Sequence, residues 1–168
     1  VRTYFSPDDV CEQVAIAELK KARKTIHVAM YSFVSRPLAQ ELVNAARRGV
    51  QVICVADNHQ QDIGAAEAVN SLLESESTIR YVRGDNKLGN YSSIHHKYAI
   101  IDGTVVLGGS FNWTQQANRY NDENLIVVKS KKLAVRFTRD MCALLTAYDP
   151  TGTLPPVAAP GTDTRVLL

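Results

Sequence analysis

The chain is poor in several residue types and patterns, and each shortage excludes something. No run approaches the roughly 18–20 consecutive apolar residues of a membrane-spanning helix, and nothing resembles a secretory signal peptide. The chain begins at Val1 rather than Met, which leaves room for an upstream segment removed by processing. Only three cysteines occur in 168 residues: Cys11, Cys54 and Cys142. They are too scattered for a zinc pattern, and their odd number argues against a full disulfide framework. Cys54 sits inside the apolar run "VQVICVA" and reads as a buried thiol. Cys11 and Cys142 read as free thiols too, with a bridge between them left open. There are four histidines, and no carboxylate cluster joins His95 and His96, so no metal site and no cofactor are expected.

An excess of one charge sign is also missing. The net charge is +2, too small for strong global attraction to nucleic acid. Locally, Arg80, Arg83, Lys87 and Lys97 cluster in sequence with His95 and His96, opposed mainly by Asp85, a pattern that can attract phosphate or simply form a solvated loop.

What is present fits a globular α/β chain. The residues are 45% hydrophobic and 21% charged, and the length suits one domain. "SPDD" at Ser6–Asp9 predicts a helix start, capped by Ser6, running to about Lys24 with Cys11, Ala15, Leu19 and Ala22 on one face. A strand is expected over Thr25–Ser32, then a helix after Ser35 that buries Leu38 and Leu42 and ends at Arg47, Arg48 and Gly49. A second apolar strand spans Val50–Ala56. Further elements are a helix over Ala65–Leu73, a strand over Thr78–Val82, the strand "ENLIVV" and a helix over Lys131–Ala147. Residues 83–93 read as a loop. The implied fold is a mixed, largely parallel sheet with helices on both faces. Residues 1–148 form the domain and 149–168 a Pro/Gly/Thr-rich tail. No internal repeat is seen.

The segment "SIHHKYAIIDGTVVLGGSFNWT" carries the chemistry. Asp-Gly between apolar runs predicts a two-residue type I′ hairpin at Asp102 and Gly103. Ile101 then pairs with Thr104, Lys97 with Gly108 and His95 with Ser110. His95, Lys97, Ser110 and Asn112 should therefore converge on one face. Asp102 lies in the turn, roughly 16 Å from Lys97 at about 3.3 Å per residue, and is assigned a structural role. Phosphodiester cleavage needs a nucleophile, a proton donor and fixed groups around the phosphoryl oxygens. A neutral His95 can attack phosphorus. Lys97, Ser110 and Asn112 supply charge and donors, and Glu123 is placed to accept from the second imidazole nitrogen of His95. His96 should face the other way and pack or hydrogen-bond. His27 reads as a satisfied core residue, and His59 as a residue just past a strand end, open between a loop position and an approach to substrate. Trp113 and Tyr31 are open between packing and ligand contact.

"HHKYAIID" followed by "GGSFN" resembles the H-x-K-x4-D and G-S-x-N signature of the phospholipase D superfamily, through His95, Lys97, Asp102, Gly109, Ser110 and Asn112. The similarity extends from Tyr4 to about Tyr148, most nearly to the small bacterial Nuc-type endonucleases. The resemblance implies a metal-independent phosphodiesterase acting through a covalent phosphohistidine, with Lys97 and Asn112 on the phosphate and Glu123 orienting the histidine. It also implies a second motif histidine as the general acid. The motif occurs once per chain, so a working site is expected across a homodimer. The expected substrate is nucleic acid, DNA or RNA, cleaved with little sequence selectivity. A phospholipid-cleaving enzyme is the alternative; it would want an exposed apolar rim, which the sequence does not reveal. A non-catalytic nucleic-acid-binding domain is a third reading. By resemblance, export is slightly favoured over a cytoplasmic location.

Overall fold

A computed structural model describes residues 1–57, 63–76, 78–84 and 93–148. The elements run β1 (Arg2–Ser6), α1 (Cys11–Leu19), β2 (Thr25–Met30), α2 (Arg36–Arg47), β3 (Gln51–Asp57), α3 (Ile63–Glu74), β4 (Ile79–Gly84), β5 (Lys97–Ile101), β6 (Val105–Gly109), α4 (Gln115–Arg119), β7 (Glu123–Lys129) and α5 (Lys131–Tyr148). The seven strands form one sheet in the order β1-β7-β6-β5-β2-β3-β4.

The sheet is mixed α/β, as the sequence implies, but "largely parallel" needs refinement. Only β2–β3 and β3–β4 pair in parallel; the other four pairs are antiparallel. Five strands still point the same way, because only β5 and β7 are reversed. The reason is local. βαβ crossovers through α2 and α3 give parallel neighbours, whereas hairpins and short returns give antiparallel ones.

Alternation along the apolar strands explains the two-sided cover. Ile26, Val28, Val52, Cys54, Ala99 and Leu107 join the helices α1, α2 and α3 on one face. Ala29, Ile53, Val55, Ile100 and Val106 meet α5 on the other. Cys11 packs in the first layer and Cys142 rides on α5 beyond the sheet, so the two thiols are separate; all three cysteines are free.

The chain's beginning departs most from expectation. Residues 2–6 form a strand instead of leading directly to a helix, pairing antiparallel with β7 so that Ser6 lies opposite Glu123. Ser6 Oγ donates to the carbonyl of Ala117 at 2.7 Å and does not cap, while Asp9 accepts from the Phe5 amide at 2.8 Å. Helix α1 starts only at Cys11. Sheet pairing across the chain outweighs a local capping signal worth about 1 kcal/mol. Helix α2 behaves as expected: Ser35 Oγ accepts from the Leu38 amide, and Gly49 takes φ +86° just past the end.

The hairpin register is shifted by one from the expected pairing. Ile101 lies opposite Val105 and Ala99 opposite Leu107, with Thr104 joining Asp102 and Gly103 in the turn. Asp102 and Gly103 do take positive φ, 51° and 60°. The extra residue is accommodated because the turn is tied to its neighbours: the Asp102 amide donates to the Thr25 carbonyl at 2.9 Å, and the Ser130 amide donates to the Thr104 carbonyl at 2.8 Å. Such a slip should flip the face of every later side chain. A bulge undoes it, since the amides of Ser110 and Phe111 both donate to the Asn124 carbonyl, at 3.1 and 3.2 Å. Two residues of one strand against one of its partner restore the parity.

Gly109 makes that bulge feasible. It sits at φ +133°, and a Cβ there would lie 2.3 Å from the Asn124 carbonyl oxygen. Only glycine tolerates both conditions.

Candidate active site

The carboxyl ends of β2 and β6 and the amino ends of β5 and β7 meet at one end of the sheet, where open α/β sheets place their ligand sites. Segment 93–96 enters there, pinned by the buried Asp57 at the end of β3, whose Oδ2 accepts from the Ile94 amide at 2.7 Å. His95 is exposed and Lys97 half-buried. Lys97 Nζ lies 3.2 Å from His95 Nδ1 and donates to the His95 carbonyl at 2.9 Å. The Tyr31 ring packs against His95, with centroids 4.4 Å apart, and carries Lys97 Nζ 4.6 Å from its centre. Burial lowers the Lys97 pKa from its ordinary value, and the opposing charge of Glu123 only partly offsets this.

Asn112 arrives through the bulge. Its Oδ1 accepts from the Ser32 amide at 3.3 Å, and among the described residues Nδ2 has no partner, leaving a donor available at the site. Tyr31, in turn, donates its amide to the His96 carbonyl at 2.7 Å. His95, Lys97, Tyr31 and Asn112 thus form one cluster on adjacent segments.

Two expected members hold other positions. Ser110 Oγ accepts from the Asn124 amide at 3.0 Å and from Asn124 Nδ2 at 3.3 Å, so it braces the bulge against β7 instead of pairing across from His95. Glu123 accepts from Asn121 Nδ2 at 3.0 Å and acts on Lys97 through space; it makes no hydrogen bond to His95 within the single chain.

Asp102 lies at the far end of the hairpin. Its carboxylate collects the amides of Arg23, Lys24 and Thr25 at 2.7–3.2 Å. Burial opposes ionisation there, but those three amides outweigh it and hold the carboxyl below its ordinary pKa.

His96 faces α5, with Nε2 3.4 Å from Asp140 Oδ2, which also accepts from the Tyr98 hydroxyl at 2.7 Å. His27 is buried but not satisfied: among the described residues neither ring nitrogen has a partner, and burial lowers its pKa to about 4. Trp113 is 2% exposed and meets Phe33 edge-to-face at 4.9 Å; it packs. Arg80 lies on edge strand β4 opposite Ile53, three strands from β5, or roughly 14 Å at about 4.8 Å per strand. It does not join Lys97. His59, Lys87, Asp85, the Arg83 side chain and the tail after Tyr148 lie outside the described residues.

Tyr31 and Asp57 were undervalued by sequence reasoning. The available signal was their position, since each stands just at or beyond the end of an apolar strand. Among the described residues, no three His, Cys, Asp or Glu side chains come together as a metal-binding set.

This architecture, with a His-x-Lys cluster at the strand ends of a mixed α/β sheet, is that of a phospholipase D-like domain. The chain belongs to the family described as "Cardiolipin synthase, PLD-like domain", which it matches over residues 15–145. It is similar to the Nuc phospholipase D family member of Salmonella typhimurium, with TM-score 0.80 and 26% identity, covering 88% of this chain and 94% of that one. The mitochondrial cardiolipin hydrolase of Xenopus laevis is 29% identical over 135 residues, 80% of this chain and 61% of the relative. A phospholipase D of Rickettsia prowazekii is 29% identical over 140 residues, 83% of this chain and 65% of the relative. The chain therefore spans about three fifths of the length of these curated relatives.

Proposed function

We propose that the chain is a metal-independent endonuclease that cleaves DNA or RNA through a phosphohistidine, in a site shared by two copies. The observation that carries this reading is the packing of His95, Lys97 and Tyr31 beside Asn112, whose Nδ2 has no partner among the described residues. The Lys97 ammonium faces His95 Nδ1. An incoming phosphate competes for that ammonium and frees the imidazole. Nε2 of His95 then attacks phosphorus, and the bond from phosphorus to the leaving oxygen breaks. The leaving oxygen takes a proton from His95 of the partner subunit. Water, deprotonated by that same second imidazole, cleaves the P–N bond and releases a phosphomonoester. Lys97 and Asn112 Nδ2 stabilise the charge on the phosphoryl oxygens. Glu123 favours the charged form of Lys97, opposing the effect of burial, instead of orienting His95 directly.

Phospholipid hydrolysis is the second reading, and one observation favours it. Phe5, Val10 and Tyr120 are exposed, at 57, 64 and 68%, and all three stand at the site's end of the sheet. The test is turnover of single- and double-stranded DNA in excess EDTA, beside vesicles containing cardiolipin, with His95→Ala in parallel. DNA cleavage by the wild type alone supports the nuclease reading. Vesicle hydrolysis without DNA cleavage replaces it with the lipid reading, and DNA binding unchanged by His95→Ala with no turnover by either protein leaves a binding domain. Sedimentation of the active protein as a monomer would remove the shared site.

A further inference from the structure

Next to the His95 cluster, at the same end of the sheet, lies a cavity of about 330 Å³ whose lining includes Glu12, Ser35, Arg36, Gln115, Asn118 and Arg119. Two chain segments lead into it from the site. Residues 31–36 and 112–119 run side by side, joined by a parallel bridge between Phe33 and Trp113. Trp113 donates its amide to the Ser32 carbonyl at 3.1 Å, and its own carbonyl accepts from Val34 and Ser35 at 3.0 and 2.8 Å. One end of this paired strip holds Tyr31 and Asn112; the other ends in two arginines. From Ser32 to Ser35 the extended chain covers roughly 10 Å, a distance that a short stretch of nucleic-acid backbone can span.

The electrostatics of the cavity favour an anion. Arg36 and Arg119 are exposed, and among the described residues neither guanidinium has an ion-pair or hydrogen-bond partner. The amino end of the twelve-residue helix α2 opens onto the cavity through Ser35, Arg36 and Pro37, adding the positive end of a helix dipole. Glu12 also lines the cavity and opposes an anion there, but its carboxylate is engaged by the Ser35 hydroxyl, which donates to Oε2 at 2.6 Å, and among the described residues it is not ion-paired to either arginine. Two free guanidiniums can each hold phosphate oxygens in forked geometry. The rest of the wall is mixed, with Gln115 and Asn118 as further polar groups beside Val34, Pro37 and Ala65.

We propose that Arg36 and Arg119 form a second phosphate subsite, which holds the nucleic-acid strand adjacent to the phosphodiester cleaved at His95. This deepens the nuclease reading and rests on it. The subsite explains how a protein of small net charge can retain an extended polyanion: two cations, unpaired among the described residues, stand beside the chemistry instead of being spread over the surface.

The test compares Arg36→Ala/Arg119→Ala with wild type on a single-stranded oligonucleotide and on bis(p-nitrophenyl) phosphate, a diester too small to bridge both places. The subsite predicts that the preference for oligonucleotide over small diester, as a ratio of kcat/KM, falls about tenfold to thirtyfold, mostly through KM. It also predicts that the salt dependence of oligonucleotide binding, measured by fluorescence anisotropy in a His95→Ala background, loses about 1.4 of its log–log slope, at roughly 0.7 per phosphate contact. Arg36→Lys/Arg119→Lys, which keep the charge without the fork, should restore most of the salt slope but only part of the affinity, a result that a folding defect would not give. An unchanged ratio and slope overturn the subsite even if DNA is cleaved. Loss of binding to phosphatidylglycerol vesicles with oligonucleotide binding intact also overturns it, in favour of a lipid headgroup. If the wild type cleaves the small diester but no oligonucleotide, the nuclease reading fails; the anisotropy slope still decides whether the arginines hold a strand.

Discussion

The two ends of the β5–β6 hairpin are built on opposite principles. At the turn, Asp102 accepts from three consecutive amides and its own amide donates to Thr25; charge and acceptors are locally satisfied. At the open end, Lys97 is partly buried against a histidine and an aromatic face, and among the described residues Asn112 Nδ2 has no partner. The satisfied end fixes the hairpin against β2, and the unsatisfied end retains binding capacity for an anion. Membership of one continuous motif therefore says little about what a residue does. Asp102 and Lys97 are five positions apart and work on different problems.

Substitutions at each end should separate these roles. The largest effect is expected for His95→Ala, which removes the proposed nucleophile. Turnover of any accepted phosphodiester should fall by about 10⁴-fold or more, with the melting temperature nearly unchanged because the ring is exposed. A drop below tenfold would move the nucleophile elsewhere.

Gly109→Ala tests whether the open end depends on the bulge. The added methyl would meet the Asn124 carbonyl at 2.3 Å at a backbone angle that L residues rarely adopt, so a stability loss of about 3 kcal/mol is expected by denaturant titration. Turnover per folded molecule should fall with it, because Asn112 follows the bulge. Full activity would mean that the bulge is not what places Asn112.

Between the two ends, His27 supplies a pH-dependent weakness. Its folded pKa, about 4, lies below the ordinary 6.5, so between these values the unfolded chain binds the proton and the folded chain does not. Stability must then fall as pH drops from about 6.5 to 4, by about 2–4 kcal/mol. His27→Leu should flatten that stretch of the stability profile. An unchanged slope would show that His27 finds a partner in solution.

The smallest effect belongs to the turn. Asp102→Ala should cost about 2 kcal/mol with turnover per folded molecule retained. Its folded pKa is depressed, so its stabilisation is complete above the unfolded value, 3.8, and is lost as pH falls through the lower folded value. The variant and wild type should therefore converge in stability only in strong acid. Loss of turnover without loss of stability would place Asp102 in the chemistry.

How far the sequence alone reaches depends on the range of the interaction involved. The apolar runs at residues 25–30 and 51–57, the Ser35 cap, the Gly49 stop and the burial of Cys11, Ala15, Leu19 and Ala22 were legible, because each is fixed by neighbours a few residues away. So was the set His95, Lys97 and Asn112 as a chemical group. Strand β1, the delayed start of α1 and the short helix α4 were not legible: each depends on a partner more than a hundred residues away or on a buried neighbour. Register was decided in the same way. Ile101 could pair with Thr104 or Val105 on local grounds, and the choice fell to Thr25 and Ser130 on adjacent segments. Sequence by itself determined which groups are available and the alternation that gives the sheet two buried faces, because periodicity is a local property. Only the tertiary structure decided that Asn112 returns through a bulge, that Ser110 braces β7, that Glu123 faces Lys97 and that Arg36 and Arg119 share a cavity, because each of these is a meeting of segments distant in the chain.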